Sequence, residues 1–123
     1  MNLVDSCGWL EYFADGPNAQ FFTPAIEDTE ALVVPAICVF EVFKRVFQQR
    51  GEDAALQAAA LMHQGQLIAL DDRIAMHAAK CSIDYRLPLA DSIVLATAHL
   101  HEAMLWTQDA DFADIAGVKY IEK

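Results

Sequence analysis

Four acidic residues stand out because each is a polar exception at the beginning, end or face of an otherwise apolar segment: Asp5, Glu41, Asp91 and Asp109. Each one alone has an ordinary structural explanation, such as a strand end, an ion pair at i+4 or a helix cap. If they lie together, they require cations, because two like charges about 4 Å apart repel by roughly 4 kcal/mol at an effective dielectric constant near 20. Carboxylate oxygens favour hard ions such as Mg²⁺ or Mn²⁺, which also bind phosphate oxygens. The residue types therefore indicate metal-assisted hydrolysis of a phosphodiester.

Asp91 is the most informative of the four because of the helix face that it occupies. In "LPLADSIVLATA", a helix that begins near Pro88 places Asp91 over Val94 and Leu95, on an apolar face. An acid in the first turn also complements the helix dipole, which is worth about 0.3–1 kcal/mol at an exposed site. That explanation accounts for the turn but not for the face. Because burial disfavours the charged form of a carboxyl group, Asp91 should gain a partner or have a raised pKa.

The elements that must position these acids alternate between short apolar strands and helical segments. Strands are predicted at 1–4, 31–34, 66–70, 104–106 and 118–121. Helices are predicted from about residue 9, over 17–30 with Thr23-Pro24 capping a new turn, over 35–50, 52–63, 71–85 and 88–100, and briefly within 107–115. This alternation predicts a three-layer α/β/α sandwich with a central parallel sheet, formed by one domain over 1–123.

In open parallel sheets, ligands bind beyond the carboxyl ends of the strands. Asp5 follows the first predicted strand directly, and Thr107, Asp109 and Asp111 follow the fourth. Glu41 lies about two turns into the helix that leaves the second strand. We therefore expect these residues, which are far apart in the sequence, to share one rim of the sheet.

Composition sets limits on the class of protein and on its partners. The chain has 123 residues, 55% of them hydrophobic, which argues against disorder. Its net charge of -10 opposes nonspecific attraction to nucleic acid, so a polyanionic substrate would need bound metal ions at the site. No apolar run is long enough to span a bilayer and no secretory signal is evident, so we expect a cytoplasmic protein. Cys7, Cys38 and Cys81 are expected to be reduced core thiols.

Histidines and basic residues offer weaker candidates. His99 and His101 cannot easily share a metal ion, because side chains two residues apart on a helix point about 200° from each other. Histidine near a helix C-terminus is more often a partner of the dipole. Four basic residues flank the segments that contain the acids: Lys44, Arg45, Lys80 and Arg86. They could contact RNA phosphates, or they could lie on solvated helix faces, and both interpretations stay open.

The order of these motifs resembles the PIN domain, and most closely the compact VapC-type toxins of prokaryotic toxin-antitoxin pairs. "LVDSCGWLEYF" is similar to the opening strand, acid and aromatic helix of that family, and "VVPAICVFEV" contains the second acid. "LPLADSIVLATA" supplies the third acid and "TQDADF" the fourth. By this resemblance the catalytic residues that hold the metal are Asp5, Glu41, Asp91 and Asp109, with Ser6, Thr107 and Asp111 in supporting positions.

The resemblance also implies an activity and partners. It implies an endoribonuclease that depends on Mg²⁺ or Mn²⁺, has an RNA substrate, and is the toxin of a type II toxin-antitoxin system. It further implies a homodimer and a cognate antitoxin protein whose tail covers the acidic groove, with no membrane association. One departure is Cys7-Gly8, where small hydroxyl or amide residues are common in the family.

Two alternatives belong to other functional classes. The first is a non-catalytic interaction module that keeps the PIN fold and acts only through partners. The second is a receiver-like signalling domain with a Mg²⁺ pocket, in which Asp71 would close the third strand as phosphoacceptor and Lys119 would be the late lysine. The paired acids that a receiver needs after its first strand are absent.

Overall fold

Five short strands form one fully parallel sheet in a computed structural model that describes residues 1–123. The strands are β1 (Asn2–Val4), β2 (Leu32–Pro35), β3 (Gln66–Ile68), β4 (Met104–Thr107) and β5 (Val118–Tyr120). Their spatial order is β3-β2-β1-β4-β5. In the central register, Leu3 of β1 lies between Val33 of β2 and Leu105 of β4. All three of these side chains are fully buried, as expected for the middle of a sheet covered on both faces.

Six helices flank the sheet. They are α1 (Ser6–Phe13), α2 (Ala19–Glu27), α3 (Ala36–Arg50), α4 (Glu52–Met62), α5 (Asp72–Tyr85) and α6 (Leu89–Leu100). Single turns of 3-10 helix lie at Thr29–Ala31 and Ala110–Phe112. The predicted α/β/α sandwich with a central parallel sheet is therefore confirmed. No helix combines the length and the apolar composition that crossing a membrane would require.

The strand order reverses direction at the centre of the sheet. From β1 the chain adds β2 and β3 on one side, and then returns to add β4 and β5 on the other. The crevice beyond β1 and β4 is therefore the topological switch point, where parallel sheets bind ligands. The same order excludes the receiver alternative, because in that fold the third strand lies beside the first, whereas β3 here is at the sheet edge. Asp71 instead caps α5 by accepting a hydrogen bond of 2.9 Å from the Ile74 N–H.

Proline positions account for the main differences from the predicted elements. The new turn predicted at Thr23-Pro24 is wrong, because α2 runs through Pro24 without interruption. The Thr23 hydroxyl donates to the carbonyl of Ala19 instead of capping a helix. Phe22 and Ile26, on either side of Pro24, are both buried, so packing of one continuous helix outweighs the local signal.

The two prolines expected at first helical positions lie one residue earlier. Pro35 ends β2 and Pro88 precedes α6, each with an extended backbone conformation. The third strand also ends at Ile68 rather than at Leu70, which is half exposed. These shifts of one or two residues leave every predicted element in place.

Candidate metal centre and active site

The crevice at the switch point begins with Asp5, the residue directly after β1. Its backbone N–H donates to the Trp106 carbonyl of β4, which continues the parallel ladder by one residue. Its carboxylate then caps the start of α1, where Oδ1 accepts from the Ser6 N–H at 2.8 Å. Asp5 is only 4% exposed, and this burial raises the pKa of its carboxyl group. Hydrogen bonds from Thr107, Cys7 and the Ser6 backbone act in the opposite direction.

Thr107 joins the end of β4 to this carboxylate. Its Oγ1 donates to Asp5 Oδ2 at 2.8 Å and accepts from the Asp109 N–H at 2.9 Å. The Asp109 carboxylate in turn accepts from the Asp111 N–H at 2.9 Å, which begins the 3-10 turn. One fully buried hydroxyl therefore fixes the positions of two acidic residues relative to each other.

Three carboxylates from three different elements meet at this crevice. Asp5, Asp91 and Asp109 each offer an oxygen, and these atoms all lie within 4.8 Å of one another. Burial raises the pKa of Asp91 to about 7, with further contributions from the negative charges of Asp5, Asp109, Glu41 and Asp111. Of the two outcomes expected from the helix face of Asp91, a partner or a raised pKa, the structure is consistent with the raised pKa.

Glu41 and Asp111 lie near this group without joining its closest contacts. Glu41 Oε1 accepts a hydrogen bond of 2.7 Å from Ser6 Oγ, so the first turn of α1 links it to Asp5. Asp111 is exposed and faces the group closely enough for its charge to raise the pKa of Asp91. All of the predicted site residues thus occupy one end of the sheet, but three of the four predicted metal ligands form the compact cluster.

The acidic cluster has no basic partner within the chain. The structure contains a single ion pair, Lys80 with Asp84 on the surface of α5, and no lysine, arginine or histidine pairs with Asp5, Asp91 or Asp109. The negative charge of these carboxylates is therefore not compensated by the protein. Mg²⁺ and Mn²⁺ prefer such hard oxygen donors as ligands. The residues present therefore fit a divalent cation at this position.

Cys7 is a member of the site that the sequence did not identify. Its Sγ lies 3.4 Å from Asp5 Oδ2 and 3.4 Å from Thr107 Oγ1. The prediction of core thiols holds for Cys38 and Cys81, which are buried, but Cys7 is only partly buried and borders the acids. Burial and the charge of Asp5 raise the pKa of the Cys7 thiol to about 12, so it is neutral and unsuited to act as a nucleophile. The contact of Cys7 with Thr107 could not be predicted from the sequence, because it depends on β1 and β4 being neighbours in the sheet.

A cleft of about 430 Å³ adjoins the site on the side of α1, α3 and α4. Cys7 and Gln108 line the end nearest the acids. One acidic side chain, Glu11, and three cationic side chains also line this cleft: Arg45, Arg50 and Lys123. Of the basic residues singled out in the sequence, Arg45 faces the cleft, whereas Lys44 lies over the Phe40 ring and Lys80 pairs with Asp84.

Comparison with known proteins identifies relatives of this chain. The family model of the PIN domain matches residues 3–118. A toxin-antitoxin complex from Klebsiella pneumoniae contains a chain that is 27% identical, with 100% of both chains covered and a TM-score of 0.83. No curated protein matches the sequence significantly.

Two more distant structures share the fold alone. VapC20 from Mycobacterium tuberculosis, described as a toxin that cleaves the sarcin-ricin loop, is 13% identical over 94% of this chain and 95% of its own, with a TM-score of 0.77. A DNA-bound VapBC from Salmonella typhimurium is 12% identical over 99% of this chain and 98% of its own, with a TM-score of 0.75.

Proposed function

Because this chain belongs to the PIN domain family, we propose that it is an endoribonuclease that depends on Mg²⁺ or Mn²⁺ and acts as the toxin of a type II toxin-antitoxin system. The main support is the convergence of Asp5, Asp91 and Asp109 beyond the central strands with no basic partner. Without a cation, repulsion between these carboxylates would destabilise the folded protein. A cation at the cluster removes that repulsion.

The chain's own residues divide into ligands and positioning groups. Asp5, Asp91 and Asp109 would hold the ion, and Glu41 would add negative charge from its position beside Ser6. Thr107 positions two of the ligands through its hydroxyl. When bound, the ion would activate a water molecule and stabilise the charge that develops on the phosphate oxygens.

Asp91 gives the site a dependence on pH. Without metal, this carboxyl group holds a proton up to about neutral pH, since its pKa is raised to about 7. Ligands must be deprotonated to bind a metal ion, so binding displaces that proton. The proposed nuclease therefore gains metal affinity as pH rises through 7.

The substrate proposal rests on charge. The net charge of -10 repels RNA over most of the surface. Arg45, Arg50 and Lys123 line the cleft beside the acids, where they outnumber its single acidic side chain, Glu11. We therefore assign the phosphates that flank the cut bond to this cleft, with the bound ion reversing the local charge at the cluster.

The partner proposal rests on the comparisons. The Klebsiella pneumoniae chain that matches this one over its whole length belongs to a toxin-antitoxin complex, which supports a cognate antitoxin as a protein partner. A homodimer is proposed from the family resemblance alone.

Cleavage of total RNA by the purified protein tests the proposed activity. We expect discrete fragments in Mg²⁺ or Mn²⁺, none in EDTA, and none with Asp91→Asn. Asp72→Asn is a matched control, because both acids lie in the first turn of a helix, but Asp72 is exposed and lies outside the acidic cluster. Equal cleavage by a folded Asp91→Asn protein would refute the mechanism. Absence of cleavage, with a melting temperature still raised by Mg²⁺, would instead favour the non-catalytic interaction module.

A further inference from the structure

A second group of metal-binding side chains lies on the hairpin formed by α5 and α6. His77 and Cys81 are one turn apart on α5, so they share a face, and His99 lies in the last turn of α6. His99 is eight residues beyond Asp91 on the same helix, which corresponds to about 12 Å along its axis. The group is therefore separate from the acidic cluster.

The spacing of the donor atoms is close to that around a tetrahedral metal ion. His77 Nε2 lies 3.1 Å from His99 Nδ1, and Cys81 Sγ lies 3.9 Å from the same His99 nitrogen. All three ligand atoms lie within 4.8 Å of one another. Bonds of about 2.0–2.1 Å from Zn²⁺ to nitrogen and about 2.3 Å to sulfur separate ligand atoms by about 3.3–3.6 Å in a tetrahedron. The observed distances of 3.1 and 3.9 Å bracket these values, and the separation between His77 and Cys81 is at most 4.8 Å.

Ordinary packing accounts for the burial of Cys81, which belongs to the hydrophobic core, but not for the two imidazoles beside it. Neither histidine has a carboxylate partner, since the single ion pair of the chain joins Lys80 to Asp84. A hydrogen bond between the two imidazoles accounts for their contact but not for the buried thiol directed at the same nitrogen. Cys81 is only 3% exposed, whereas His99 is exposed, so the group has a buried and a solvent-facing side.

We infer that His77, Cys81 and His99 form a binding site for Zn²⁺, with a fourth position open to solvent. Two imidazole nitrogens and a thiolate are the ligands that Zn²⁺ prefers, in contrast to the all-oxygen cluster at Asp5, Asp91 and Asp109. No other histidine, cysteine, aspartate or glutamate joins the three, which leaves the fourth position to water. The site does not depend on the proposed nuclease function.

Bound Zn²⁺ would tie α5 to α6 near the C-terminal end of the helix that presents Asp91. The two helices form an antiparallel pair joined by residues 86–88. A bond to the metal from each helix fixes their relative position. The ion would therefore act as a structural clamp on the hairpin.

Cobalt substitution can distinguish this site from the acidic cluster. Co²⁺ bound by a thiolate gives a near-ultraviolet charge-transfer band that carboxylate ligands do not give. Cys7 lies beside Asp5 and is the other thiol next to a potential metal site, so Cys7→Ser is the matched control for Cys81→Ser. His101→Ala is the matched control for His99→Ala, because His101 follows the same helix and lies outside the group.

The experiment is titration of the reduced, metal-free full chain with Co²⁺, followed by displacement with Zn²⁺. We expect a charge-transfer band at one equivalent that disappears in Cys81→Ser and persists in Cys7→Ser. His77→Ala and His99→Ala should weaken Zn²⁺ binding by at least about 100-fold, since loss of an outer-shell partner alone costs about 10–100-fold. His99 is exposed, so His99→Ala should fold normally.

Three results of the Co²⁺ titration would overturn the site. These are the absence of the band in the wild-type protein, its retention in Cys81→Ser, and its loss in Cys7→Ser. Zn²⁺ affinity unchanged in a folded His99→Ala protein would be equally decisive. RNA cleavage does not enter the readout, so failure of the nuclease proposal would leave these outcomes interpretable.

Discussion

Thr107 Oγ1 donates a hydrogen bond of 2.8 Å to Asp5 Oδ2, which links the ends of the adjacent strands β4 and β1. The same oxygen accepts a hydrogen bond from the Asp109 N–H. Thr107 is fully buried and Asp5 is nearly so. In the proposed metal site this hydroxyl would orient two of the ligands without touching the ion.

Thr107→Val should therefore weaken Mg²⁺ binding. Valine keeps the shape of threonine but removes both hydrogen bonds, and loss of such outer-shell partners costs about 10–100-fold in metal affinity or activity. Thr107→Ser keeps the hydroxyl and should restore affinity to within a few-fold of wild type. Isothermal titration with Mg²⁺, paired with cleavage rates, would measure both effects. Wild-type Mg²⁺ affinity in Thr107→Val would show that the hydroxyl serves only to stabilise the fold.

The metal-free protein should lose stability as pH rises from about 4 to about 7. The pKa of Asp91 is about 7 in the folded protein, against about 3.9 in unfolded chains. In this window the folded state holds a proton that the unfolded state has released, so the free energy of unfolding falls with increasing pH. Burial of Asp5 raises its pKa and adds to the same trend.

Urea unfolding in EDTA at pH 5 and at pH 8 would measure this loss. Asp91→Asn should flatten the pH dependence and increase stability at pH 8 by about 1 kcal/mol, a value discounted for the partial exposure of this carboxyl group. Asp72→Asn should keep the wild-type slope. Saturating Mg²⁺ should remove most of the loss in the wild-type protein. An unchanged slope in Asp91→Asn would mean that another group is responsible.

Much of the candidate site could be predicted from the sequence, because Asp5 and Asp109 closely follow strands and Asp91 lies in the first turn of an apolar helix. The apolar run before Asp5 predicted that this residue ends a strand. The helix periodicity around Asp91 predicted that this residue lies near the start of a helix. In a parallel sheet the carboxyl ends of the strands lie at one edge, where ligands bind. The helix face of Asp91 predicted either a partner or a raised pKa, and the absence of a basic partner leaves the raised pKa. Local signals were less decisive at Thr23-Pro24, where burial of Phe22 and Ile26 keeps one helix continuous.

Contacts between elements could not be predicted, since they depend on strand order and on the register of packed helices. The position of Glu41 outside the compact cluster, and that of Cys7 within reach of Asp5, depend on how α1 and α3 pack. The meeting of His99 with His77 depends on the register between α5 and α6. Spacing within one helix could only show that His99 and His101 diverge.

Gly8→Ala should destabilise the fold, although alanine is the better helix former. A Cβ atom at Gly8 would lie 2.6 Å from the Phe22 ring and 2.7 Å from Val4 Cγ1. Both neighbours are fully buried, so neither side chain can move out into solvent. Overpacking of this kind costs about 1–3 kcal/mol, which exceeds the gain in helix propensity of about 1 kcal/mol.

A double-mutant cycle with Phe22→Leu would test the cause. If the clash with the ring is responsible, Gly8→Ala should cost less free energy of unfolding in the Phe22→Leu background than in the wild type. Equal costs in both backgrounds would assign the effect to Val4 or to the backbone. A Gly8→Ala protein as stable as wild type would contradict the close approach of α1 to α2.

Arg45→Gln should weaken RNA binding and reduce its dependence on salt. Arg45 lines the cleft beside the acids, whereas the preceding Lys44 lies over Phe40 on another face of α3, so Lys44→Gln changes the net charge equally and is the matched control. For single strands, each phosphate contact contributes about 0.7 to the slope of log affinity against log salt concentration. Arg45→Gln should lower the slope by about that amount, and addition of Arg50→Gln should lower it again.

The measurement is fluorescence anisotropy of a labelled single-stranded RNA in an Asp91→Asn background, which leaves the RNA intact. Equal slopes for Arg45→Gln and Lys44→Gln would place the RNA elsewhere, because a general effect of net charge acts on both variants alike.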